Sequence, residues 1–153
     1  MVAPAALEQS FTSFVRETEP KLRAALVAYF GTDRGREATA EALAYGWEHW
    51  ERIRHMENLA GYLYRVGQHT GFSKPRRVLF PEARNHSAPV VEPALPQAMA
   101  RLSTRQRTAV VLIHCYEWTP VEVAGLLDVS VSTVRNHLDR GMKKLRAILG
   151  GAS

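Results

Sequence analysis

The segment TPVEVAGLLDVSVSTVRNHLDRGMKKLR, residues 119 to 146, confines its part of the chain to two helices meeting at a tight turn. Pro120 stands where a first helical turn tolerates a missing backbone donor, and Val123, Ala124 and Leu127 follow on one face at intervals of three and four. Leu127-Asp128-Val129 forms the turn, with Asp128 where glycine is commonest; aspartate tolerates left-handed backbone better than most residues. Ser130 offers its hydroxyl to the amide of Ser132 or Thr133, so the second helix begins near Val131. Along it Val131, Val134, Leu138, Met142, Leu145 and Leu149 recur every three or four residues and are expected to face a core. Ser132, Arg135, Asn136, Asp139, Arg140 and Lys143 are then left outside. Ala124 is small where two helices joined by a short turn must approach.

An amphipathic helix pair also builds any helical bundle, so pattern alone leaves DNA binding and plain packing both open. Charge separates them. Residues 94 to 153 carry 8 basic and 4 acidic side chains, which supplies +4 of the chain's net +5. Along the second helix Arg135, Arg140, Lys143, Lys144 and Arg146 are opposed only by Asp139. A positive stripe on a helix that fits the major groove is the electrostatic footprint of a DNA binder. An exposed Arg135–Asp139 pair four residues apart explains Asp139 but not the surplus of cations.

At 153 residues and 46% apolar content the chain can form one domain or two small ones. Five of its 8 prolines, Pro75, Pro81, Pro89, Pro93 and Pro96, fall in a stretch without helical periodicity. Residues 75 to 94 therefore read as a Pro-rich linker between a helical domain at 5 to 74 and a helix-turn-helix domain at 95 to 150. No apolar run approaches the ~18 to 20 residues of a membrane span, and the N-terminus lacks a basic stretch ahead of an apolar one; a cytoplasmic protein without membrane contact is expected. The single cysteine, Cys115, follows the apolar run Ala109 to Ile113 and is expected to be a buried structural thiol.

The N-terminal half reads as helices throughout. Leu7, Phe11, Phe14 and Val15 share a face, Thr18 and Pro20 punctuate, and Leu22, Leu26, Val27 and Phe30 continue to Gly31, which predicts two short helices. Residues 35 to 54 place Leu43, Trp47, Trp50 and Ile53 on one face, and Asn58 caps a helix carrying Leu59, Tyr62, Leu63, Val66 and Thr70 that ends before Pro75. This last helix and its approaches mix cations with aromatic rings: Arg52, Arg54, Tyr62, Tyr64, Arg65, Gln68, His69, Phe72, Lys74, Arg76 and Arg77. Such a mixture suits melted nucleic acid, since bases stack on rings at ~1 to 3 kcal/mol each while cations hold phosphates. The plainer alternative is that Tyr62 and one or two others simply pack in the bundle. The expected fold class is all-α.

Taken in order, the Trp-bearing third helix, the segment NLAGYLYRVGQHTGFSKPRR, the linker, and LSTRQRTAVVLIHCYEWTPVEVAGLLDVSVSTVRNHLDRGMKKLR resemble an extracytoplasmic-function sigma factor of bacterial RNA polymerase over residues 7 to 149. The C-terminal block carries most of the likeness, through Leu102-Ser103, Gln106-Arg107, Val110 to Leu112, Val123-Ala124, Leu127, Ser130-Val131, Thr133-Val134 and Leu145-Arg146. The N-terminal match rests on Glu41 to Ala44, Trp50, Tyr62 to Val66 and Lys74 to Arg77.

The resemblance implies a set of partners and sites. Its partners would be double-stranded and melted promoter DNA, the beta-prime and beta subunits of core polymerase, and an anti-sigma factor; no cofactor and no metal are implied. Glu37, Glu41 and Trp50 would meet polymerase. The loop from Arg52 to Leu59 would capture a flipped base of the minus-10 element, with Asn58, Tyr62, Tyr64, Arg65, Gln68, His69, Phe72, Lys74, Arg76 and Arg77 along the strand. The minus-35 duplex would meet Ser132, Thr133, Arg135, Asn136, Asp139, Arg140, Lys143 and Lys144, the first two giving amides and hydroxyls to phosphate.

The chain departs from the family where an acidic run ordinarily opens the third helix: Arg34 and Arg36 stand where two of three acids are usual. A sigma-derived regulator that binds DNA without acting as a full sigma subunit is the alternative. Enzymatic activity is not expected, because the 6 histidines lack metal-ligand spacing and no phosphate loop or nucleophile motif occurs.

If Arg135 reads a base edge, Arg135→Ala costs ~1 to 3 kcal/mol on the cognate duplex and relaxes preference at one base position. Binding to a panel of single-base variants checks this; a uniform loss on every duplex removes Arg135 from base readout.

Overall fold

In a computed structural model the described residues are 2–72 and 94–151. Pro4, tolerated in a first turn, opens α1 (Pro4–Phe30), which ends where Gly31 takes a φ of 92°. The break expected at Pro20 does not occur, because the proline lies inside this single 27-residue helix. Burial on both sides holds it together despite the lost backbone donor: Leu22, Ala25 and Leu26 beyond the proline are fully buried, and Phe11 and Phe14 before it pack on Trp50.

Gly31 leads into α2 (Thr32–Glu48), and His49 interrupts it before α3 (Trp50–Ile53). The single helix expected over 35 to 54 is thus two. His49 stacks on Tyr45 at 4.1 Å, and its Nδ1 lies 2.9 Å from the Tyr45 carbonyl. The break turns Trp50 and Ile53 into the core, whereas Trp47, expected beside them, is 47% exposed with one side on Phe11. Asn58 caps α4 (Leu59–Phe72) as expected, its Oδ1 accepting from the Gly61 amide at 3.1 Å.

The C-terminal half comprises α5 (Leu95–Ala100), α6 (Thr104–Val110), a π-helical stretch (Val111–Cys115), α7 (Pro120–Leu127) and α8 (Val131–Gly150). Among the described residues every regular element is helical, in keeping with the all-α expectation, and no helix is long and apolar enough to cross a membrane. The expected linker, 75 to 94, falls outside the described residues apart from Ala94. The wider π-helical turns shift the register after Val110, so Cys115 points outward and is exposed, not buried as expected.

One core runs through both halves. Leu22, Leu26, Leu63 and Tyr64 pack in the same cluster as Leu112, Val123, Ala124, Leu126 and Val134. A smaller cluster of Ala98, Leu102, Val110 and Leu145 binds α5 and α6 to α8. Of the α8 positions expected inward, Val134 and Leu145 are buried and Val131, Leu138, Met142 and Leu149 are half-buried.

Helices α1 and α2 touch backbone to backbone at Gly35, where an added Cβ would lie 2.4 Å from the Val27 Cα. Gly35→Ala is expected to force the pair apart and cost about 1 to 3 kcal/mol, as overpacking does. Gly125→Ala, on an exposed stretch of α7 with nothing within 4 Å of the new methyl, should instead stabilise by up to about 1 kcal/mol through helix propensity. Chemical denaturation of the two variants checks both signs.

Candidate nucleic-acid interface

Local chemistry builds the helix-turn-helix almost as its sequence dictates. Thr119 and Glu122 form a reciprocal capping box at the start of α7, with Pro120 in the first turn. Asp128 ends α7 in left-handed geometry, φ 56° and ψ 49°. Ser130 then caps α8, its Oγ accepting from the Thr133 amide at 3.1 Å. Arg135, Asn136, Asp139, Arg140, Lys143 and Lys144 all project into solvent from one stretch of α8, so the cationic ridge expected there is open to a partner. Ser132 is exposed as well. Thr133 is a correction: its amide and hydroxyl both engage Ser130 Oγ, which commits them to the cap and not to a phosphate. Gly141, which the periodicity did not single out, lets α8 approach α6, since a Cβ there would lie 2.9 Å from Val110 Cγ2.

The residues expected to line melted DNA are divided by the structure. Arg65 and His69 are exposed, and Gln68 and Tyr62 are half-buried, on α4. The Tyr62 hydroxyl lies 2.9 Å from that of Tyr45, and this bond, aided by burial, raises its pKa above the usual phenol value. Phe72 belongs to α4, but its side chain is outside the described residues, as are Lys74, Arg76 and Arg77. His55, Met56 and Glu57 stand exposed in the loop before α4.

Three expected site residues serve the protein's own packing instead. Tyr64 is only 2% exposed, and its hydroxyl hydrogen-bonds with the side chains of Thr108 and Gln68; burial pushes its pKa far above the phenol range. Asn58 spends its carbonyl on the α4 cap and donates from Nδ2 to the Gly125 carbonyl on α7. Trp50, expected to meet polymerase, is 5% exposed, edge-on to Phe11, with its indole N–H donating to Ser10 Oγ at 2.8 Å. Each was picked out by residue type on a helix, and each faces a neighbour that is distant in sequence. Glu37 and Glu41 are half-buried on α2, and the Arg34 guanidinium lies over the Phe30 ring at 5.5 Å.

Contacts between the halves form a distinct set. Arg107 is buried on α6, donating from Nε to the Ala28 carbonyl at 3.2 Å and from a terminal nitrogen to the Tyr29 carbonyl at 2.9 Å. These belong to the last turn of α1, where carbonyls lack helical partners and the helix dipole favours a cation. Burial lowers the Arg107 pKa from its usual value, but a guanidinium stays charged at any physiological pH. Arg65 pairs with Asp128 at 3.0 Å, an exposed bridge of little energetic weight. An arginine directly before the buried run Thr108-Ala109-Val110 was the available sign of the first contact; the second had none.

Residues 93–145 match the family model described as sigma-70, region 4. This C-terminal part is similar to sigma region 4, over about a third of the chain. No curated protein matches the chain. Among solved structures it is similar to the sigma factor RpoE from Bartonella quintana, in complex with the anti-sigma factor NepR, at a TM-score of 0.63 and 18% identity over 92% of this chain and 96% of that one. The chain therefore has a sigma-factor fold.

Arg107→Met, which keeps the stem and removes the donors, is expected to lower stability by about 1.5 to 3 kcal/mol, as for hydrogen bonds to a charged group. A urea titration monitored by far-ultraviolet dichroism reads the change. For His137, burial first and then the guanidinium groups of Arg105 and Arg140 hold the imidazole below its usual 6.5. The fold thus prefers the neutral ring: its contribution is whole above pH 6.5 and is lost as the pH falls below that value. Melting temperature should fall on that acid side, and less so in His137→Gln.

Proposed function

We propose that the chain is an extracytoplasmic-function type sigma factor, which directs core RNA polymerase to promoters. The observation that carries this reading is the open cationic face of α8 on a fully capped helix-turn-helix, within the segment that matches sigma-70 region 4. In this reading residues 95 to 150 seat α8 on the duplex minus-35 element. Arg135, Asn136 and Asp139 lie nearest base edges and Arg140, Lys143 and Lys144 nearest phosphates.

Residues 5 to 74 form the unit that opens the minus-10 element, presenting Tyr62, Arg65, Gln68 and His69 from α4 and the loop before it, with Glu37 and Glu41 toward polymerase. Residues 75 to 94 connect the two units. Because Asn58 and Arg65 are engaged with α7 and its turn, and Tyr64 with α6, work at both promoter elements requires the halves to separate first. RpoE is held by an anti-sigma factor, and a partner of that kind is proposed here too. The protein acts in the cytoplasm, without enzymatic activity of its own.

A second reading is favoured by Arg34 and Arg36, which place cations on α2 where the family ordinarily presents acids to a basic polymerase surface. In it the chain binds DNA as a regulator and does not engage polymerase. Adding the purified protein to sigma-free core polymerase separates the two. A stable complex with promoter-dependent transcripts supports the sigma reading, and duplex binding with neither leaves the regulator. In either case Lys143→Gln with Lys144→Gln should flatten the salt dependence of duplex binding by ~0.9 log units per phosphate contact removed. An unchanged slope returns both lysines to a solvated face.

A further inference from the structure

Between α4, α6, α7 and α8 lies an open cleft of about 630 Å³, within the usual range for small-molecule sites. Three different helices aim a basic side chain into it: Arg65 from α4, Arg105 from α6 and His137 from α8. Among the described residues no acidic side chain lines it. Gln68 and Ser103 add polar groups, and Tyr64 forms part of an aromatic wall. Ser103 Oγ accepts from the Gln106 amide at 3.2 Å, which leaves its hydroxyl proton free to donate. Arg105 is exposed and makes no ion pair with another described residue. The Arg65 partner Asp128 sits outside the lining.

Arg65 is paired with Asp128 but Arg105 has no such partner among the described residues, and cations gathered from separate elements repel one another. The effect is visible at His137, whose imidazole is kept toward its neutral form by burial and by Arg105 and Arg140. A multivalent anion placed among them reverses that repulsion, and guanidinium groups bind phosphate oxygens in bidentate fashion.

We propose that this cleft binds the polyphosphate group of a small anion of nucleotide size, held chiefly by Arg105 and Arg65 with Gln68, Ser103 and His137 around it. Such a ligand bridges the two halves of the chain and stabilises their packed arrangement. The site is independent of the proposed promoter function, since binding can be read without polymerase or DNA.

Isothermal titration calorimetry of the full chain with adenosine triphosphate, guanosine triphosphate and inorganic triphosphate tests it. At least one should bind with a Kd in the micromolar range. Arg105→Gln should weaken it by roughly tenfold or more and Arg105→Lys by less, while Lys143→Gln with Lys144→Gln, on the outer face of α8, leaves it within roughly twofold. Arg105 is exposed, so the variants are expected to fold, and unchanged dichroism and melting confirm it. Tighter binding of a nucleotide than of inorganic triphosphate assigns the ring to the tyrosine wall; equal binding assigns the phosphates alone, and either supports the site. Absence of binding by all three overturns the proposal, as does an equal loss in the Arg105 and lysine variants, which marks general attraction to a basic protein. It is also overturned if a short single-stranded oligonucleotide binds in an Arg105-dependent way while the triphosphates do not.

Discussion

The guanidinium of Arg107 ties the carboxyl end of α1 to α6, and the arrangement of the two halves follows from that join. The last turn of a helix leaves carbonyls without backbone donors, and two of them, on Ala28 and Tyr29, are supplied by one side chain from the other half of the chain. A buried cation is tolerated there because both bonds end on carbonyl oxygens at the negative end of the α1 dipole. With α6 fixed, the π-helical stretch and α7 fall against α1 and α4, and Leu112, Val123 and Leu126 enter the core that Leu22, Leu26 and Leu63 begin.

This packing has a functional consequence. The α8 face that carries Arg135, Asn136 and Arg140 remains open, whereas on α4 Tyr64 is buried against Thr108, Arg65 pairs with Asp128 and the capping Asn58 bonds Gly125, with His69 left exposed. One proposed nucleic-acid surface is therefore ready and the other partly covered. The covering contacts differ in strength: Tyr64 with Thr108 is buried, whereas Arg65 with Asp128 stands in water and is screened by salt. Separation of the halves thus has to disrupt the apolar core and the Arg107 bonds more than any surface ion pair.

The parts legible in the sequence are those whose physics is local. Pro120 in a first turn, Asp128 in left-handed backbone, Ser130 as cap and the outward placement of Arg135 and Arg140 all depend on residues within a turn or two, and all hold. Misreadings arose where a distant neighbour decides. Pro20 looks like a stop until the burial of Leu22 and Leu26 is counted. Trp50 and Tyr64, expected to meet partners, are turned inward to Ser10 and Thr108, which no local pattern signals. Asn58 was read correctly as a cap, yet the second use of its side chain, on Gly125, is 67 residues away. Cys115 was misplaced for a subtler reason, because a π-helical register shift leaves no mark in the apolar pattern that precedes it.

By itself the sequence determined an all-helical chain, a capped helix-turn-helix and a basic ridge along its final helix, since periodicity, capping and charge act over a few residues. Only the tertiary structure decided that both halves share one core, that Arg107 closes the end of α1, and that Arg65, Arg105 and His137 border one cleft. These depend on which helix faces fit together at close range, a property of the packed chain that no short window of residues contains.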